Sequence, residues 1–296
     1  MTRSLAPLAP LALAALVALV GCSSTPTEPP LEFALAEGVA PKGQVLVVLS
    51  AANELRLASG EPHPTGLFLS ELVHPIETIL AAGYEVSFAS PGGRIAAIDS
   101  DSLSGIYWPG ASEEREAALR RVLASRKLNA PTPLASVDPD GYSGIFVPGG
   151  HAPMVDLARS EDMARLLRAC HEAGRPTAVL CHAPAALLST LPKEKGDPAW
   201  PYAGYEMAIF TNFEEGISEA FFLGGDVPYY IDTELQKAGA KAVSCINPFS
   251  PSNAYRDREL ITGQNPYSAH ECAQLFVEAM DDFRARGSLR TPSKQP

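Results

Sequence analysis

"TAVLCHAPAALL" occupies Thr177–Leu188, and its reading decides the fold. Thr177 to Leu180 is a short apolar run of the kind found in buried strands. Pro184 to Leu188 reads as the start of a helix. Cys181 and His182 fall at the junction, where a side chain stands clear of a sheet. Cysteine attacks as the thiolate, and its pKa falls at a helix N-terminus or beside a suitable hydrogen-bond partner. The spacing places Cys181 where both apply. It also aims backbone N–H groups at an oxyanion on a bound carbonyl. Cys181 is therefore a candidate nucleophile, with His182 beside it.

Outward from this stretch, apolar runs alternate with helical periodicity. "QVLVVLS" (44–50), "YEVSFAS" (84–90), "SGIFVPGG" (143–150), "EMAIFT" (206–211), "KAVSCI" (241–246) and "ELITGQ" (259–264) read as strands. Helices are expected from Leu69 to a cap at Gly83, over 113–127 and 156–173, around "EEGISEAFF", over 233–238 and over 268–286. This alternation predicts a mostly parallel sheet covered on both faces. Catalytic groups in such sheets gather beyond the carboxyl ends of the strands. Ser50, Gly149–Gly150 and Cys181 all fall there. "PGGHAP" (148–153) offers a second turn, in which Gly149 and Gly150 allow close backbone approach and His151 follows. Glu71 sits between Leu69 and Leu72, and a carboxyl in apolar surroundings holds its proton longer than a solvated one.

The chain has 296 residues, 46% hydrophobic and 19% charged, with a net charge of -11. It has no basic stripe to meet phosphates, so no nucleic-acid partner is expected. Residues 1–21 have the layout of a secretory signal: Arg3, an apolar stretch, then small residues before Cys22. The ending "LVGC" resembles the lipobox of bacterial lipoproteins, which implies cleavage before Cys22, lipidation of its sulfur, and an exported, membrane-anchored protein. A Pro-rich tether follows over 22–42, the folded domain over 43–286 and a flexible tail over 287–296. Cys170, Cys245 and Cys272 read as small buried hydrophobes. No CxxC or HxxxH pair marks a metal site, and His63 and His74 do not make one, so no metal is expected. Nor is a cofactor, since the chain has no glycine fingerprint for a dinucleotide and no phosphate loop.

"TGLFLSELVHPIETILAAGYEVSFASPGG", "GIFVPGGHAPMVDL", "AVLCHAPAALL", "TNFEEGIS" and "LITGQNPYSA" together resemble the ThiJ/PfpI superfamily. Within it they resemble the glutathione-independent glyoxalase III branch, also described as stress chaperones and deglycases. The resemblance spans about residues 43–285. It implies a flavodoxin-like three-layer α/β sandwich, similar to class I glutamine amidotransferases, and a homodimer. It implies Cys181 as nucleophile, His182 as proton carrier, Glu71 as the carboxyl beside the thiolate, and Glu214 or Glu215 as the acid near the histidine. Backbone amides at Gly149, Gly150 and His151 would bind an oxyanion. The expected substrate is a small 2-oxoaldehyde such as methylglyoxal. Two rivals remain: amide hydrolysis, amidotransfer or deglycation at the same cysteine, and a holdase or redox-sensing surface lipoprotein. Members of this branch read GGHG and CHGP where this chain has Ala152 and Ala183. These alanines place a methyl near the pocket at positions where glycine tolerates positive φ.

Overall fold

Val45, Val47 and Leu49 face one side of the first strand, Leu46 and Val48 the other, and all five are buried. That pattern belongs to a strand with a core on each side. The computed structural model describes residues 32–245 and 252–290. Its main sheet has seven strands, in the order Ala254–Asp257, Leu260–Gly263, Thr177–Leu180, Gly144–Val147, Gln44–Val48, Glu85–Ser90, Thr132–Pro133. All neighbours pair in parallel except Ala254–Asp257 with Leu260–Gly263. One face is covered by the helices Leu69–Ala81 and Ala269–Arg286, through Leu72, Ile76, Ile79, Phe276 and Met280. The other is covered by Glu161–Ala173 and Ala183–Thr190, through Met163, Leu166, Leu167 and Leu187. The result is a flavodoxin-like three-layer sandwich.

Several elements differ from the sequence expectation. Among the described residues of "EMAIFT" and "KAVSCI", whose Ile246 lies outside them, the strand pairing is two residues long, Glu206–Met207 with Lys241–Ala242, outside the main sheet. Side chains take the place of a longer ladder there. The Ser244 hydroxyl bonds both the N–H and the carbonyl of Ile209, and Thr262 Oγ1 accepts from the Ala208 N–H. The edge strand Ala254–Asp257 carries no apolar run and has no sequence signal. The helix expected from Pro184 is a 3₁₀ helix, Ala183–Thr190, whose Ser189 and Thr190 hydroxyls bond carbonyls three residues back. The helix expected from 156 starts at Glu161. Asp156 instead holds the Ser50 hydroxyl and the Ala51 N–H.

Both domain limits also move outward. Within the expected tether, Phe33 is fully buried, edge-on to Phe88 and under the Arg121 guanidinium 4.2 Å from its ring centre. Glu32 accepts from the Ser125 hydroxyl and the Arg126 N–H. Within the expected tail, Leu289 is 4% exposed and its N–H donates to the Gly174 carbonyl. Composition shifts mark the Pro-rich stretch, but one aromatic or leucine supplies enough apolar surface to hold its segment down. Cys22 and the signal-like segment lie outside the described residues. Among the described residues no helix is long and apolar enough to cross a membrane.

Phe33→Ala should lower unfolding stability by about 3–5 kcal/mol, the cost of emptying a closed aromatic site. Urea denaturation reads it, and a shift below about 1 kcal/mol would return residue 33 to the tether.

Candidate active site

Gly144–Val147 and Thr177–Leu180 are adjacent parallel strands, so the turns beyond their carboxyl ends meet. The first turn delivers Gly149, Gly150 and His151, and the second Cys181 and His182. Cys181 has φ +59°, left-handed backbone that a side chain rarely adopts. Its N–H donates to the Gly263 carbonyl at 2.7 Å, tying the strained residue to the next strand. The strain turns the chain sharply and lifts the sulfur out of the sheet.

Gly149 is required by what surrounds it. A Cβ there would fall 2.4 Å from both Glu71 Oε2 and the Leu180 carbonyl. Gly150 has φ +84°, and a Cβ would fall 2.8 Å from the Gly66 carbonyl. The Gly149 N–H donates to Glu71 Oε2 at 3.0 Å, so this amide is committed to the carboxyl rather than open to an oxyanion. The Gly150 amide lies close enough to the Cys181 sulfur to favour its charged form. Ala152 and Ala183 are buried with negative φ, and neither lines the cavity. The strain and pocket narrowing expected of these two alanines are therefore absent.

Glu71 enters from the first turn of the Leu69–Ala81 helix, fully buried beside Cys181, and its Oε1 has no hydrogen-bond partner among the described residues. His182 Nδ1 lies 3.1 Å from Cys181 Sγ, and its Nε2 lies 2.8 Å from Glu215 Oε2. The tautomer that satisfies both contacts has Nε2–H donating to Glu215 and Nδ1 accepting from the thiol. Glu215 Oε1 lies 2.9 Å from His151 Nε2, and the two imidazoles touch at a tilt of 41°, with centroids 3.9 Å apart. Glu215 is thus the acid that meets the histidine. Glu214 is occupied elsewhere. It closes a capping box with Thr211 and accepts from Gln264 Nε2 and Asn265 Nδ2.

The electrostatics divide the carboxyls. Burial pushes the Glu71 pKa up to about 8. Burial also opposes ionisation of Glu215, but His182 and His151 outweigh it and hold that carboxyl well below its usual range. Burial, and then the neighbouring His151, lower His182. His151 rises, because its Glu215 pairing overcomes its own burial. The Cys181 thiol is pushed well above its ordinary value, by burial and then by Glu71. The lowered thiol pKa expected of a helix N-terminus does not occur. The following turn is 3₁₀, and desolvation dominates.

A cavity of about 470 Å³ opens over the sulfur. Its walls are mostly apolar and aromatic, with Phe68, Tyr107, Phe210 and Phe222 inside and Ile106, Phe221 and Tyr267 at the mouth. Asp99 and Asp101 line one side. Sequence reasoning missed this lining, which comes from four separated segments with no common motif. Ser50 does not line the cavity and braces Asp156 instead. Cys170 and Cys272 are buried without thiol partners, as expected, whereas Cys245 is only partly buried. His74 pairs with Glu114 and packs on Trp108.

Fold and site together define an α/β protein built around a strand-end cysteine. Residues 63–195 match the ThiJ/PfpI family-like model. The protein/nucleic acid deglycase HchA of Staphylococcus aureus is 30% identical over 248 residues, covering 81% of this chain and 80% of the relative. The Pseudomonas aeruginosa deglycase of the same name is 28% identical over 251 residues, covering 82% of each. The structure of glyoxalase III from Candida albicans shares the fold, with a TM-score of 0.64 at 24% identity over 80% of this chain and 97% of that one. The chain belongs to the ThiJ/PfpI family, on its HchA deglycase branch. The relatives' name does not fit the expectation of no nucleic-acid partner. Net charge governs affinity for phosphates, not whether a small adduct on a base enters a pocket.

Glu71 carries a pH signature. Its folded value of about 8 stands above the model-peptide value of 4.5. The proton-linked stability is therefore complete below about pH 4.5 and is lost as pH rises through about 8. Glu71→Gln removes that dependence. The stability of the variant relative to wild type should rise by a few kcal/mol between about pH 5 and pH 8. Urea midpoints at the two pH values read it, and a constant difference would place the Glu71 pKa in the ordinary range.

Proposed function

We propose that this protein is a glutathione-independent glyoxalase converting 2-oxoaldehydes such as methylglyoxal to 2-hydroxy acids, with Cys181 as nucleophile. The observation that carries the reading is the pair Cys181–His182 in the cavity wall, with Glu71 buried behind the sulfur and Glu215 on the far nitrogen of His182. His182 Nδ1 takes the thiol proton as sulfur bonds to the aldehyde carbon, and returns it to the new alkoxide. The Glu215 carboxylate holds the transient imidazolium. This answers the raised thiol pKa: no resting thiolate is needed when a base removes the proton during attack. The hemithioacetal then isomerises. Glu71, in its carboxylate form, removes the C1 proton to give an enediolate and returns that proton to the C2 carbon, while the C1 hydroxyl proton passes to the C2 oxygen. A carboxyl with a pKa near the working pH suits both directions. Water cleaves the resulting thioester, releasing the hydroxy acid and the thiol. His151, lining the cavity and with its pKa raised by its pairing with Glu215, favours the charged intermediate.

Deglycation is a second reading, supported by the relatives' name and by the cavity. It holds several times the volume of a three-carbon aldehyde, and Phe221 at its mouth is 79% exposed. An adduct still attached to its carrier fits such an opening.

The test is lactate formation from methylglyoxal without glutathione. Cys181→Ala should abolish it with the fold intact. Glu71→Gln should keep Cys181 reactive to iodoacetamide but lower lactate formation by about two orders of magnitude or more, as for a removed acid/base group. Lactate formation by Cys181→Ala would refute the mechanism, and near-normal turnover by Glu71→Gln would leave His182 as the only base.

We further propose export with lipidation at Cys22, and a homodimer. Cys22→Ala should move the protein from the membrane fraction to the soluble fraction, since stable anchoring takes two or more acyl chains. A mature wild-type N-terminus without acyl mass would refute this.

A further inference from the structure

Two imidazoles and one carboxylate converge beside the cavity, and the thiol uses only one nitrogen of the set. His151 Nε2 and His182 Nε2 each face a different oxygen of Glu215, at 2.9 and 2.8 Å. The ligand atoms of the three residues all lie within 4.8 Å of one another. They arrive from three elements: the turn after Gly144–Val147, the turn after Thr177–Leu180, and the Asn212–Ser218 helix. Contact between the imidazoles and burial of Glu215 and His182 preset their directions. His151 and His182 both line the cavity wall, which gives an ion a route in, and Asp99 and Asp101 make that route acidic.

We propose that His151, His182 and Glu215 form a divalent transition-metal site, suited first to zinc, and that metal bound there switches the enzyme off. Two imidazole nitrogens and a carboxylate leave one open position for water in a tetrahedral shell. With bonds of about 2.0–2.1 Å, donors in that shell stand about 3.3 Å apart. The N···O spacings of 2.9 and 2.8 Å, with all three ligand atoms within 4.8 Å of one another, bracket this value, so small side-chain adjustments reach it. The ion takes the place of the two protons now shared between the imidazoles and Glu215.

The effect on the thiol follows from valence. A neutral imidazole that gives its Nε2 lone pair to metal carries its one proton on Nδ1. In His182 that nitrogen faces Cys181 Sγ at 3.1 Å. It then donates to sulfur and can no longer accept the thiol proton. Sulfur is not needed as a ligand, so the site does not require oxidation or loss of Cys181. The inhibitory half of this proposal rests on the glyoxalase reading, and the binding half does not.

The test uses the full chain, stripped of metal and titrated with zinc and with cobalt(II). Expected are one zinc per chain, and a cobalt complex with visible ligand-field bands but no thiolate-to-metal charge-transfer band. Cys181→Ala should keep the zinc affinity. His151→Asn and the near-isosteric Glu215→Gln should weaken it beyond the tenfold to about hundredfold typical of outer-shell groups, with melting curves showing both variants folded. Zinc should suppress wild-type turnover at the concentration that fills the site, and a chelator should restore it. The metal site is refuted by no zinc binding at about a hundred micromolar, by unchanged affinity in the folded His151→Asn and Glu215→Gln variants, or by a charge-transfer band lost in Cys181→Ala. Full turnover with zinc bound refutes the switch alone. Binding is read without turnover, so failure of the glyoxalase reading leaves that half standing.

Discussion

A cysteine held at φ +59° at the end of a buried parallel strand is the constraint on which the rest of the site depends. The left-handed backbone costs about 1–2 kcal/mol for a residue with a side chain. The cost is borne because Cys181 is anchored on both sides. Its N–H is bonded to Gly263, and its strand lies between Leu260–Gly263 and Gly144–Val147. Any relaxed conformation would lay the sulfur back along the sheet, away from Glu71 and His182.

Around that anchor the site separates two carboxyls by environment. Glu71 meets a thiol and one backbone amide in an apolar pocket, so burial wins and it keeps a proton near neutrality. Glu215 is as deeply buried but faces two imidazoles, so it stays ionised. Pairs of titratable groups pushed apart in this way mark acid and base roles. The same contrast makes the two histidines unequal. They meet on one carboxylate, and His182 has its pKa lowered while His151 has it raised. The neutral histidine is the one that touches sulfur.

The surrounding scaffold holds these groups still. Glu214 shows how: adjacent to Glu215, it points its oxygens at Thr211, Gln264 and Asn265, so it fixes the start of the helix that presents its neighbour. Asp156 does similar work at Ser50 and Ala51. The cavity walls, by contrast, are apolar side chains from separate segments, several of them exposed at the mouth.

The central strands, the Leu69–Ala81 helix and the junction at Cys181 were legible in the sequence, because burial on two faces demands continuous apolar runs and helices demand their own period. The two glycine-bearing turns were legible for the same local reason. Which of Glu214 and Glu215 meets the histidine was not. Adjacent residues on a helix point about 100° apart, and only packing against Gln264 and Asn265 decides which one turns inward. The anchoring of Phe33 and Leu289 and the shrinkage of "EMAIFT" and "KAVSCI" depend on partners far away in the chain. So do the thiol pKa and the His151–Glu215–His182 cluster. Local sequence determines where the chain bends and which face is apolar. Desolvation and the pairing of distant polar groups exist only once the layers have closed.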